Sequence, residues 1–251
     1  MELKNRVAII TGASGGIGRS IALELANAGV RMMLVGRSRQ KLETVAQEAA
    51  SKGALIAWRS IDIRDATAVE HMVNETLEYF GQIDILVNSA FWGPPASLED
   101  TTEDFWDQTL DTTLKAAFLC TRAVVPQMKR QGYGRIVNIG SRAGKVGEDN
   151  RSAYCAAKWG LEGLTAALSE ELHRYNIHVH LISPAATNTP WWREVSANLT
   201  PEVVEKMIPP EVIAQAVRWV LSLPDQVHVP DLPIYNFQNP FEGKRSPFEG
   251  L

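Results

Sequence analysis

Tyr154 and Lys158 stand four residues apart in the stretch Ser152-Ala153-Tyr154-Cys155-Ala156-Ala157-Lys158. On a helix that spacing puts a phenol and an ammonium on one face, about one 5.4 Å turn apart. A free tyrosine titrates near pH ~10 and is a poor base in neutral water. A neighbouring lysinium favours its phenolate, and each unit of lowering is about 1.4 kcal/mol. Such a phenol could exchange a proton with an alcohol or carbonyl oxygen. Ser141 adds a hydroxyl thirteen positions before Tyr154, just after the β-branched run Arg135–Ile139. Tyr-x-x-x-Lys is common by chance, so the pair gains meaning only with a second, independent feature.

That feature is the turn Thr11-Gly12-Ala13-Ser14-Gly15-Gly16-Ile17-Gly18. Glycine suits a place where a pyrophosphate must approach the backbone, because a Cβ would obstruct it and a following helix N-terminus offers unpaired N–H groups. A glycine triplet is weak evidence alone, but here it follows a strand and opens a helix inside a βαβ unit. A dinucleotide is therefore expected, and an oxidised nicotinamide, being positive, would add to Lys158 in favouring phenolate. The end of the second strand should face the adenosine ribose. A carboxylate there would accept from the 2′-hydroxyl of NAD, whereas a guanidinium pairs with the 2′-phosphate of NADP. The residues are Val35-Gly36-Arg37-Ser38-Arg39, with no carboxylate and two arginines. NADP(H) is expected over NAD(H), with Arg37 the reader. After the third strand, Asp62 in Ile61-Asp62-Ile63 is placed to accept from the adenine amino group, or else to cap the next helix.

Periodicity supplies the elements that would hold these groups. Strands are expected over Arg6–Ile10, Val30–Val35, Ala54–Ile61, Ile83–Val87, Arg135–Ile139 and Ile177–Ile182, with helices between them that stop at Gly29, Gly53, Gly81 and Gly132. The fourth helix reads as one long element from about Thr102 to Arg130, and Ser152 could cap the next, which runs to about Tyr175. Such alternation implies a doubly wound α/β fold, parallel strands with helices on both faces. The reading is one domain over residues 1–236, including a Pro-, Thr- and Trp-rich loop at 184–209, and a tail at 237–251. A helix follows the loop, from about Pro210 to Leu223. The tail repeats Pro-Phe-Glu-Gly at 240–243 and 247–250. It is either a loose polar end or an arm whose Phe241 and Phe248 dock on a neighbouring subunit.

Composition narrows the class. The 251 residues are 45% hydrophobic and 22% charged, ordinary for a globular chain, with 25 basic against 29 acidic residues. A net charge of −4 without a basic stripe argues against a nucleic-acid partner. No apolar run approaches the roughly 18 residues of a membrane span. Cys120 and Cys155 form no disulfide framework and match no metal-ligand spacing, so no metal is expected and a cytoplasmic location is.

Together the turn Thr11-Gly-x-x-x-Gly-x-Gly18, Asn138-Ile139-Gly140-Ser141 and Tyr154-x-x-x-Lys158 resemble the motifs of the short-chain dehydrogenase/reductase family, over about Lys4 to Tyr235. The resemblance implies a Rossmann-type sheet of seven parallel strands in the order 3-2-1-4-5-6-7 and a nicotinamide-dependent hydride transfer. Tyr154 would exchange the proton, Ser141 would hold the substrate oxygen, and Lys158 would bind the nicotinamide ribose and lower the Tyr154 pKa. Thr11, Gly12, Ser14, Gly16, Ile17 and Gly18 would meet the cofactor, as would Arg37, Asp62, Ile63, Asn88 and Ala90. Pro184, Thr187 and Thr189 come from a segment similar to the family's Pro-Gly-x-x-x-Thr.

Three departures from the family pattern stand out. Phe91 replaces a glycine after strand four, Ala185 replaces another after Pro184, and Thr113 takes the place of an asparagine that holds a proton-relay water near the lysine. Thr113 offers a hydroxyl donor and acceptor but no amide. Phe91, Trp92, Trp191 and Trp192 would border the cleft and suit an apolar or ring-bearing substrate, or else serve as packing anchors. Arg142, Lys145 and Arg193 could meet an anion, although loop cations are usually solvated. Two functions fit: an NADP(H)-linked ketone reductase or secondary-alcohol dehydrogenase, and a non-catalytic NADP-binding protein on the same fold. Phe118, Leu119, Val124 and Val125, with Trp159, Leu161, Leu164 and Leu168, exceed what a sheet-facing stripe needs, so a homodimer or homotetramer is expected.

Overall fold

Strand β1, Val7–Thr11, is buried at every position, and β2 (Arg31–Gly36), β4 (Ile85–Asn88), β5 (Gly134–Ile139) and β6 (Ile177–Pro184) are nearly so. Continuous apolar runs of this kind belong to parallel strands covered on both faces. The computed structural model describes residues 2–196 and 199–242. With β3 (Ile56–Ser60) and β7 (Asp231–Ile234) these strands form one sheet in the order β3-β2-β1-β4-β5-β6-β7, parallel throughout. The Rossmann-type, doubly wound architecture is the expected one.

Helices α1 (Gly16–Asn27) and α9 (Pro210–Ser222) pack on one face, while α3 (Ala66–Phe80), α5 (Ala116–Gln131) and α6 (Ser152–Leu172) cover the other. Helix α2 (Arg39–Ala50) flanks β2 and β3. The glycine stops are real. Gly29, Gly53, Gly81 and Gly132 all have φ between 63° and 86°, the left-handed conformation that ends a helix at little cost.

Four expectations need correction. The helix expected as one piece from Thr102 is α4 (Glu103–Leu110) and α5 joined by a π turn at Asp111–Lys115. Ser152 does not cap α6. Arg151 holds the cap position and Ser152 is the first helical residue. Asp62 is not a cap either, because Asp65 accepts from Thr67 and Ala68 at the start of α3. Strand β6 runs on to Pro184, which brings the segment after it up to the glycine turn.

The loop after β6 carries the short helices α7 (Trp191–Val195) and α8 (Pro201–Glu205), whose Trp192, Val195 and Val203 share a small core with Met207 and Phe241. Phe241 packs on Trp192 of its own chain, ring centroids 5.2 Å apart. Phe248 lies outside the described residues.

Candidate active site

The strands present their C-terminal ends to a cleft of about 1170 Å³, where the sequence motifs converge. At its floor, Gly12 has φ +68°, and a Cβ there would stand 2.8 Å from the Ala90 backbone, so β1 and the loop after β4 approach as closely as they do only without a side chain. A Cβ on Gly18 would meet the Gly12 carbonyl at 2.3 Å. Among the described residues no side chain caps α1 and no acidic group sits in its first turn, so its N–H groups face the cleft ready for an anion. The turn therefore fits a pyrophosphate.

Ser14, Gly16, Ile17, Arg37, Asp62, Ile63 and Ala90 line the same cleft, as do Pro184, Thr187 and Thr189. Thr11 and Asn88 do not. Thr11 Oγ1 accepts from the Ser89 and Ala90 amides at 3.1 and 3.3 Å and ties β1 to β4. Asn88 Nδ2 donates to Asn138 Oδ1 at 2.9 Å, bracing β4 on β5. Arg37 projects into the cleft, whereas Arg39 turns away to pair with Glu43 and stack over Trp58. Asp62 is held by Arg64 through both carboxylate oxygens, Oδ1 at 3.0 Å and Oδ2 at 2.6 Å, and this bonding depresses its pKa. Arg64 and Lys41 are two further cations on the rim that the motif reading missed.

Ser141 follows β5; its Oγ accepts from Ala143 N at 3.1 Å, and its side chain lines the cleft with Tyr154. Tyr154 and Lys158 sit one turn apart on α6, 9% and 3% exposed, as the spacing requires. Lys158 Nζ donates to the Ile139 carbonyl at 2.6 Å and lies 5.7 Å from the Tyr154 ring centre. Burial, then the charge of Arg151, draws the Lys158 pKa down to about 7. Burial pushes the Tyr154 phenol up, and it is Arg151 and then Ser141 that pull it back. Arg151 is the residue the sequence reading missed. It precedes α6, is 5% exposed, and sets its guanidinium 4.0 Å from the Tyr154 ring and 5.1 Å from that of Trp191. Its place three residues before Tyr154 was the available signal.

Four aromatic side chains border the cleft in two roles. Phe91 meets Tyr154 and Trp191 edge-on, each at 5.9 Å, and forms a wall over the phenol. Trp92 packs on Phe105 at 4.8 Å and Trp192 on Phe241, so these two anchor the walls from behind. Thr113 is buried behind them: its Oγ1 donates to the Trp92 carbonyl at 3.0 Å and accepts from the Trp92 amide at 3.2 Å. Of the three loop cations, Lys145 is held by Glu162 and Asp231, and Arg142 by Glu148, while Arg193 is exposed.

This geometry matches known proteins. The family model for short chain dehydrogenase matches residues 6–200. The chain belongs to the short-chain dehydrogenase/reductase family, an oxidoreductase family. A relative from Thauera aromatica, the (2S)-[(R)-hydroxy(phenyl)methyl]succinyl-CoA dehydrogenase subunit BbsD, is 38% identical over 195 residues, 78% of each chain. Among solved structures, a metagenomic short-chain oxidoreductase in complex with NADP is similar at TM-score 0.83 and 31% identity, covering 95% of this chain and 100% of its own. An NAD+-bound xylitol dehydrogenase is similar at TM-score 0.86 and 30% identity, covering 93% and 99%.

Proposed function

We propose that the chain is an NADP(H)-linked oxidoreductase that interconverts a ketone and a secondary alcohol. The observation that carries this reading is that Ser141, Tyr154 and Lys158 line the same cleft as the glycine turn and Arg37. Bound in that cleft, the nicotinamide would supply or receive the hydride. Ser141 and Tyr154 hold the carbonyl oxygen between their hydroxyls, and Tyr154 gives up its proton as negative charge develops there. The raised phenol pKa keeps that proton available at neutral pH. Lys158, which lines the cleft, would hold the ribose hydroxyls of the bound cofactor. Phe91 and Trp191 favour an apolar or ring-bearing substituent on the substrate and keep water from the phenol.

Support for NADP comes from Arg37, the absence of a carboxylate at the end of β2, and the NADP complex of a similar structure. The NAD+-bound neighbour keeps the alternative in play as an outcome of the test. A homodimer or homotetramer in the cytoplasm, where Cys120 and Cys155 stay reduced, completes the reading.

A panel of aryl and alkyl ketones with NADPH, followed by loss of cofactor absorbance, tests it. Tyr154→Phe should cut turnover by at least ~100-fold with NADPH affinity nearly unchanged. Arg37→Asp should weaken NADPH by about 10-fold or more and NADH little, since a charge-assisted hydrogen bond is worth ~1.5–3 kcal/mol. Tight NADPH binding without turnover of any carbonyl compound would leave the non-catalytic reading standing.

A further inference from the structure

Away from the cleft, three of the five histidines converge beside the start of β6. His178 and His180 alternate along that strand, so both side chains leave one face, and His228 arrives from the segment leading into β7. Ring nitrogens of the three lie within 4.8 Å of one another. His180 is 1% exposed. Its Nδ1 stands 2.8 Å from the Val229 carbonyl, which selects the Nδ1–H tautomer, and its Nε2 is buried without a hydrogen-bond partner among the described residues. His228 Nε2 is 3.1 Å from Ser169 Oγ, which leaves its Nδ1 for another partner. Tying one ring nitrogen to a carbonyl or hydroxyl is how proteins aim the other at a metal.

We propose that His178, His180 and His228 form a site for a divalent transition-metal ion of the Zn2+ type, which fastens the segment before β7 onto β6. Tetrahedral Zn2+ with nitrogen ligands at about 2.0–2.1 Å places those nitrogens about 3.3 Å apart. The site must contract from its present spread, and the exposed His228 and half-buried His178 have the freedom to turn inward. The fourth position opens to solvent on the His228 side.

Arg135, paired with His178 in the β5–β6 register, opposes a cation, but Asp225 is ion-paired to it and offsets its charge. Glu170 acts on His228 in the same favourable sense as Asp225 on His178. None of the three histidines lines the cleft, and His178 is six strand residues, roughly 20 Å, from Pro184 at its edge. The ion would serve the fold of the β6–β7 edge and take no part in the proposed hydride transfer.

Zn2+ titrated into the full chain against a chromophoric chelator should bind at one ion per chain, and Co2+ in its place should give the visible bands of tetrahedral nitrogen coordination. His228→Ala, a change at an exposed position, should weaken Zn2+ roughly 100-fold or more, and His178→Ala likewise. Added Zn2+ should raise the Tm of the unsubstituted chain and of neither variant. These readouts stand apart from turnover, so they hold or fail independently of the proposed reaction. Binding of less than one ion per chain would overturn the site. So would affinity that survives in the His178→Ala/His228→Ala double variant, since the ion would then rest on other groups.

Discussion

Lys158 carries a conflict in a single side chain. It is 3% exposed, and burial first and Arg151 second draw its pKa from the usual 10.5 to about 7. Its folded value is depressed, so the unfolded chain holds more protons between pH 7 and 10.5, and stability falls as pH drops through that window. The loss is complete below about 7, where both states are protonated. Lys158→Met keeps the volume and removes the titration. In denaturant titrations the variant's advantage over the parent chain should shrink from pH 7 to pH 10 by on the order of 3 kcal/mol. A difference that stays constant with pH would mean that the amine is not desolvated as its burial indicates. The same burial raises the Tyr154 phenol, and Arg151 first and Ser141 second act against that rise. The spacing of Tyr154 and Lys158 was legible because both lie on one helix. The contact of Arg151 with Trp191 was not, because Trp191 reaches the site from forty positions later in the chain.

At the scale of elements, the π turn at Asp111–Lys115 explains what Thr113 does. One extra residue in the turn rotates α5 relative to α4, and the apolar periodicity on either side survives, which is why the sequence reads as a single helix. Thr113 sits in that turn and clasps both backbone groups of Trp92, whose neighbour Phe91 touches Tyr154. Thr113→Val is nearly isosteric but leaves the Trp92 amide and carbonyl without their partner, at a cost of about 1–3 kcal/mol. A fall in Tm of several degrees is expected, with a rise in KM as the Phe91 wall loosens; Thr113→Ser should restore both. Unchanged thermal unfolding in Thr113→Val would show that the clasp carries no load. Six of the seven strands were legible as apolar runs. Strand β7, Asp231-Leu232-Pro233-Ile234, was not, because a short edge strand with a proline shows no run, and only its register with Leu181–Pro184 defines it. Thr11 and Asn88 were legible as motif residues, yet their hydrogen bonds to neighbouring strands, which no one-dimensional pattern records, make them braces.

For the whole molecule, the proposed assembly requires a surface suited to a second copy. Eight apolar side chains on two helices were expected to exceed the needs of the sheet, and the structure divides them. Leu119, Val124 and Leu161 are buried, at 6%, 0% and 1% exposure, and belong to the chain's own packing. Val125, Leu164 and Leu168 are partly buried. Phe118 and Trp159 remain 42% and 52% exposed, so the expectation of assembly now rests on these two aromatic rings. Covering the exposed half of a tryptophan removes roughly 100 Å² from water, worth about 2–3 kcal/mol. Around a two-fold axis each contact is made twice, so two such rings weigh heavily in a subunit interface. Phe118→Glu with Trp159→Glu should leave the fold of a single chain intact, because neither ring contributes to its buried core, yet place four like charges in a two-fold interface. Light scattering at micromolar concentration should then show the parent chain as a dimer or tetramer and the double variant as a monomer with the same far-ultraviolet dichroism. A monomeric parent chain, or a double variant that assembles as the parent does, would remove α5 and α6 as the assembly faces.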